Sequence, residues 1–214
     1  MEQSNYMPRI GDKAPDFTAV TTLGNIKLSE YNKGSWVLLF SHPADFTPVC
    51  TTEMSGFAVE QESFFDKHNT KLMGLSIDSI HSHIAWVDNV KKNTGVYFRF
   101  PIIADIDMKV AKLYGMLQPN ESETAAVRAV FFIDPEGIIR LMMYYPLSVG
   151  RNMHEIKRAL LALQTNDAHK VALPLNWEPG EKVIVPPPKN LKDYEERLNS
   201  DLEMVDWYLA KKSL

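Results

Sequence analysis

Apolar residues gather in short runs along the chain. Trp36–Ser41, Lys71–Ile77, Val127–Asp134 and Ile138–Tyr145 are apolar, β-branched and aromatic, and read as strands. The first and third are nearly continuous, as in sheet-centre strands covered on both faces. Between them, Thr51–His68, Ser82–Asn93 and Met108–Tyr114 carry helical spacing, and Asn152–Gln164 sets Ile156, Leu160 and Leu163 on one stripe. Strands alternating with helices predict an α/β layer fold. Asp134-Pro135-Glu136-Gly137 is a turn of the Pro-then-Gly kind, so the last two strands form an antiparallel hairpin and the sheet is mixed.

From Leu173 onward the pattern changes. Pro174, Pro179-Gly180 and Pro186-Pro187-Pro188 punctuate short segments ahead of a charged helix from about Leu191 to Leu198. This predicts a main domain over 1–170 and a small C-terminal extension over 171–214, suited to contact with a second subunit. There is no internal repeat and no low-complexity segment.

Composition narrows the function classes. A chain of 214 residues, 45% hydrophobic and 23% charged, buries one sizeable core, which excludes disorder. With 23 Lys+Arg against 27 Asp+Glu the net charge is −4, which offers no electrostatic footprint for nucleic acid or an anionic membrane. No apolar run approaches the ~20 residues of a spanning helix, and the first residues lack the basic-then-apolar pattern of a secretory signal. The expectation is a cytoplasmic protein with no nucleic-acid or membrane partner.

The single cysteine, Cys50, excludes an intrachain disulfide, a CxxC redox pair and any multi-cysteine zinc site. A lone cysteine can be a buried small hydrophobe, so its neighbours decide. Thr47-Pro48 is a helix start, since threonine can cap free amides and proline is tolerated at the first helical position. Cys50 then lies at the third helical position, where unsatisfied N–H groups and the positive helix end favour an anion, and hence a nucleophilic thiolate. Arg128 and Arg151 are candidate cationic neighbours that spacing alone does not bring near. Glu53 either pairs with an arginine or complements the helix dipole. His81 and His83 suggest no third metal ligand and read as surface or capping residues, as do His154 and His169.

These residues resemble a known family. Pro43-x-x-x-Thr47-x-x-Cys50 is similar to the PxxxTxxC signature of the peroxiredoxins, and Phe46-Thr47-Pro48-Val49-Cys50-Thr51-Thr52-Glu53 to their one-cysteine, peroxiredoxin-6 branch. The resemblance extends over most of the chain, through Ser76-Ile77-Asp78, Pro101-Ile102-Ile103-Ala104-Asp105, the run from Arg128 to Asp134, Gly150-Arg151-Asn152 and Asn176-Trp177. It implies a thioredoxin-like fold with a C-terminal arm, and a thiol peroxidase acting on hydrogen peroxide and alkyl hydroperoxides without metal or organic cofactor. Cys50 would be the peroxidatic cysteine, passing through a sulfenic acid. Thr47 would hydrogen-bond thiolate and peroxide, Arg128 would hold both, and Pro43 would shield the pocket from water. Arg151 would align Glu53 or Arg128 or serve a purely structural role, and His42 would line the pocket or bond the backbone at the strand end. The family assembles as dimers, in some members joined into decamers.

Departures from the pattern sharpen this. Where some relatives carry a resolving cysteine in the C-terminal arm, this chain has Leu209, which implies recycling by an external thiol and a sulfenic acid exposed to overoxidation. The Gly-x-Ser-x-Gly stretch tied to phospholipase activity in mammalian relatives reads Lys33-Gly34-Ser35-Trp36-Val37 here, and Ser29 stands where they have a histidine, so that activity is not expected. Thiol-disulfide exchange lacks its CxxC pair. A peroxide sensor or redox-regulated chaperone using the same cysteine is the alternative reading.

Overall fold

The computed structural model describes residues 7–214. The chain divides into two compact units, one running through Arg151 and one from Asn152 to Leu214.

In the first unit, β1 (Thr18–Thr21) and β2 (Gly24–Lys27) form a hairpin, followed by a single turn, α1 (Leu28–Tyr31). Then come β3 (Trp36–Ser41), α2 (Pro48–Glu60), β4 (Thr70–Ser76), α3 (Ile80–Thr94) and β5 (Ile102–Ala104). The short α4 (Lys109–Leu113) precedes β6 (Arg128–Ile133) and β7 (Ile139–Tyr145). The seven strands make one sheet in the order β2-β1-β5-β4-β3-β6-β7. β3, β4 and β5 are parallel, with α2 and α3 as crossovers, and β6 runs antiparallel to both β3 and β7. The mixed sheet and the final hairpin agree with the sequence pattern. Its turn ends at Gly137, whose φ of 77° suits a residue without a side chain.

Every residue of β3 is buried, as expected for a strand covered on both faces. Alternation sends Val37 and Leu39 into a core with Met73, Leu75, Phe131 and Tyr114. It sends Phe40 to the other face, where its ring stacks on Phe57 of α2 at 3.9 Å between centroids. Gly74 lies opposite both Phe40 and Ile102 at the sheet centre. A β-carbon there would meet Met54 Cε of α2 at 3.0 Å and Phe100 at 3.6 Å. The missing side chain at Gly74 is what lets α2 lie this close to the sheet, and α2 carries Cys50.

The predicted helix over Thr51–His68 starts earlier and reaches His68 in three kinds of turn, the last a tight one over Asp66–His68. α2 gives way at Gln61–Phe65 to a wider π-type turn, and Asn69 closes the segment in a left-handed conformation with φ 48°. In the second unit, α5 (Met153–His169) is capped by Asn152, whose side chain accepts from the His154 and Glu155 amides. α6 spans Leu191–Leu198 as expected. The proline-punctuated segments contain a sheet the hydrophobic pattern does not reveal, in which β10 (Leu209–Lys212) pairs antiparallel with both β8 (Val183–Val185) and β9 (Glu203–Asp206). Leu209 opens β10.

Met54 Cε is the free end of a flexible side chain, so Gly74→Ala should cost less than about 1 kcal/mol, whereas Gly74→Val should cost about 1–3 kcal/mol by overpacking. Urea denaturation of the two variants reads this difference.

Candidate active site

The site lies at the carboxyl end of β3. After Ser41 the chain passes through His42 and the turn Pro43–Thr47, in which Phe46 takes a left-handed conformation with φ 54°, and enters α2 at Pro48. Thr47 occupies the N-cap position with extended backbone and Pro48 is the first helical residue, which makes Cys50 the third, as the sequence predicts. The capping expectation needs correction. The Thr47 side chain makes no cap hydrogen bond; its hydroxyl donates to the Ala44 carbonyl at 2.8 Å and so tightens the turn instead. Pro43 is half-buried beside it.

Cys50 has no exposed surface, yet its surroundings are not hydrocarbon. β6 runs antiparallel to β3, so its first residue, Arg128, falls beyond the Phe40–Val130 pair, at the end of β3 from which the chain reaches Cys50. Arg128 Nη1 donates to Cys50 Sγ at 3.4 Å and to Glu53 Oε2 at 2.7 Å. Its Nε and Nη2 both donate to the Leu147 carbonyl, at 3.0 and 2.6 Å, which holds the guanidinium plane. Glu53 stands three residues after Cys50, on the same helix face.

Arg151 completes the cluster. Its backbone N–H and Nε donate to Glu53 Oε1 at 2.7 and 2.9 Å, and Nη2 donates to Oε2 at 2.8 Å. Nη1 donates to the carbonyls of Ser41 and Ala129, both at 2.9 Å. The guanidinium lies 5.6 Å from the Phe40 ring and 5.5 Å from the Phe57 ring, within cation–π reach. Each Glu53 oxygen thus accepts two hydrogen bonds, the full capacity of a carboxylate. The side chains of Arg128, Glu53 and Arg151 are all 4% exposed or less. Burial opposes the charge on Glu53, but the charge and hydrogen bonds of Arg151, aided by Arg128, outweigh it and hold the carboxyl below its ordinary range. Two guanidiniums and one carboxylate leave one uncompensated positive charge in contact with the sulfur.

Sequence spacing left the two arginines unplaced; the structure brings both to Glu53, and Arg128 to Cys50. It also corrects the reading of His83 as a surface or capping residue, because His83 is fully buried. Asp45 joins it to His42: His42 Nε2 lies 2.9 Å from Asp45 Oδ1, and His83 Nδ1 lies 2.8 Å from Asp45 Oδ2. His42 therefore bonds a side chain as well as donating its backbone N–H to Leu75. Among the described residues, His42, Asp45 and His83 are the group whose candidate metal-ligand atoms converge, within 4.8 Å. Their 2.8 and 2.9 Å contacts are those of hydrogen bonds. The signal that could have found this cluster is topological. β3 and β4 are parallel neighbours, so the loop after one and the first turn of the helix after the other meet at the same carboxyl end of the sheet. His81, by contrast, is exposed.

Residues 10–142 match the AhpC/TSA family, and residues 162–200 match the C-terminal domain of 1-Cys peroxiredoxin. A peroxiredoxin of Methanosarcina mazei is 55% identical over 215 residues, covering 96% of this chain and 98% of the relative. The chain belongs to the peroxiredoxins. The structure of a yeast mitochondrial 1-Cys peroxiredoxin superposes with a TM-score of 0.88 at 42% identity, covering 97% of this chain and 100% of that one. A Cys-to-Ser mutant of peroxiredoxin 6 of Arenicola marina superposes with a TM-score of 0.86 at 35% identity, over 96% of this chain and 98% of that one. The fold is accordingly thioredoxin-like with a C-terminal extension, and this peroxiredoxin is a thiol-dependent peroxidase of the one-cysteine, peroxiredoxin-6 type. No helix of the described residues is long and apolar enough to cross a membrane.

Glu53→Gln removes the carboxylate that the two buried guanidiniums share and should cost about 3–5 kcal/mol at neutral pH. Because folding lowers the Glu53 pKa, its contribution is complete above the ordinary value of 4.5 and is lost as the pH falls through the folded value. Urea denaturation across pH should therefore show the gap between wild type and Glu53→Gln closing as the solution is acidified below about 4.5.

Proposed function

We propose that Cys50 is the peroxidatic nucleophile and that Arg128, Glu53 and Arg151 hold it as a thiolate. The observation that carries this reading is Arg128 Nη1 at 3.4 Å from Sγ, in a buried cluster with one excess positive charge. A neutral thiol would leave that charge uncompensated, and a thiolate neutralises it. The sulfur attacks the terminal oxygen of hydrogen peroxide or an alkyl hydroperoxide. An S–O bond forms as the O–O bond breaks, Cys50 becomes a sulfenic acid, and the departing oxygen takes a proton and leaves as water or alcohol. Negative charge grows on that oxygen, and the fixed Arg128 guanidinium lowers the barrier to it.

Thr47 and Pro43 flank the same helix start. The Thr47 hydroxyl can rotate from the Ala44 carbonyl to an incoming peroxide, and the half-buried Pro43 limits water. His42 lines the pocket from the end of β3. With one cysteine in the chain, the sulfenic acid condenses with an external thiol, releasing water, and a second thiol frees Cys50 as a disulfide forms between the two reductants. The similar yeast mitochondrial protein is described with glutathione and thioredoxin systems, and the proposed reductant is a thiol of that class. The C-terminal segment 171–214 serves as an arm between subunits of a homodimer, which in turn can build a decamer.

Stopped-flow oxidation by hydrogen peroxide tests the reading. Wild type should react orders of magnitude faster than free cysteine, Cys50→Ser should not react, and Arg128→Ala should slow by about 10²–10³-fold, the range for losing one fixed donor to a developing oxyanion. Intact mass should show one added oxygen, removed by added thiol. A wild-type rate equal to that of free cysteine would overturn the proposal.

A further inference from the structure

The chain His42–Asp45–His83 lies outside the arginine cluster, and the mechanism above leaves Asp45 and His83 without a task. The side chains of all three residues are 1% exposed or less. His83 belongs to the first turn of α3. Its Nε2 lies 3.0 Å from the Ile103 carbonyl in β5 and its Nδ1 lies 2.8 Å from the Asp45 carboxylate. The Asp45 carboxylate only accepts, so His83 Nδ1 carries the hydrogen that faces it. The second Asp45 oxygen faces His42 Nε2 at 2.9 Å, and as an acceptor it requires the hydrogen of His42 to be there. His42 Nδ1 is then a bare lone pair. It is buried, and it has no hydrogen-bond partner among the described residues.

Charge supports the same assignment. Burial, joined by the charges of His83 and Arg151, outweighs the pull of Asp45 and disfavours protonation of His42. Burial would raise the Asp45 carboxyl, but its hydrogen bonds to His42 and His83 hold it well below its ordinary range. The Asp45 backbone is tied as well, its N–H donating to Asp78 Oδ2 at 2.9 Å. Asp45 sits inside the Pro43–Thr47 turn that delivers Cys50, two residues before the N-cap. Arg151, which bonds the Ser41 carbonyl, carries charge felt by His42.

We propose that His83 and Asp45 are positioning residues of the peroxidatic site, in which His83, anchored on β5, fixes Asp45, and Asp45 fixes both the Pro43–Thr47 turn and His42 as its Nε2–H tautomer. This rests on the reading of Cys50 as the nucleophile. It gives α3 a part in the site although no residue of α3 bonds the sulfur or the arginine cluster in this structure. It also leaves His42 Nδ1 as a buried acceptor without a hydrogen donor among the described residues.

The test combines ¹⁵N-histidine NMR with stopped-flow oxidation by hydrogen peroxide in wild type, His83→Leu and His83→Asn. In wild type around neutral pH, His42 should show hydrogen on Nε2 and none on Nδ1. His83→Leu removes a neighbour that disfavours charge on His42 and keeps Asp45, so protonation of His42 moves up in pH. Its oxidation should slow by about tenfold or more, as when a residue supporting a site is lost, and its pH profile should gain an acidic limb absent in wild type. His83→Asn puts an amide donor where Nδ1 stood and should recover most of the rate and the wild-type tautomer. A folded His83→Leu protein whose rate and profile match wild type would overturn the inference, and so would a wild-type His42 protonated on Nδ1. If His83→Leu does not fold, the wild-type tautomer and the His83→Asn rate decide. A slow wild type would instead reject the peroxidatic reading of Cys50, while the tautomer measurement would still judge the His83–Asp45–His42 geometry.

Discussion

The site depends on one carboxylate shared by two buried guanidiniums. Glu53 accepts four hydrogen bonds, three from Arg151 and one from Arg128. Without it, two cations would sit together out of water, and such an arrangement is disfavoured by several kcal/mol. With it, the cluster is rigid and carries one positive charge, aimed at a sulfur on the same helix. On the proposed reading of Cys50, folding stability and peroxide chemistry are therefore coupled through one side chain.

The topology explains how three distant segments reach that point. β3 ends where α2 begins, and antiparallel pairing carries the start of β6 to the same end of the sheet. The Leu147 carbonyl and Arg151 return from beyond β7 to close the cluster. Gly74 and the Phe40–Phe57 stack set the height of α2 above the sheet, and with it the depth of Cys50. The aromatic rings that form this core are also the faces over which Arg151 lies, so packing and charge placement share the same residues.

Much of this was legible in the residues. Continuous apolar runs marked β3 and β6 because strands buried on both faces need no polar alternation, and Thr47-Pro48 marked the start of α2 and so the position of Cys50. The edge hairpin of β1 and β2 was missed because it is short and largely exposed, with only Thr21 buried in it. The β8–β10 sheet was missed because prolines precede it and its strands have three or four residues each. Spacing could not bring Arg128 and Arg151 to Glu53, since their separations of 75 and 98 residues are closed only by the sheet order. His83 was misread because a polar residue in the first turn of a helix is usually solvated, and only the parallel pairing of β3 with β4 reveals that this turn faces Asp45.

A double-mutant cycle on the rate of peroxide oxidation tests the coupling directly, using Glu53→Gln, Arg128→Lys and the two combined. If Glu53 acts by holding Arg128 against the sulfur, the combined loss should fall well short of the product of the single losses. Losses that multiply, so that each substitution acts independently of the other, would contradict it.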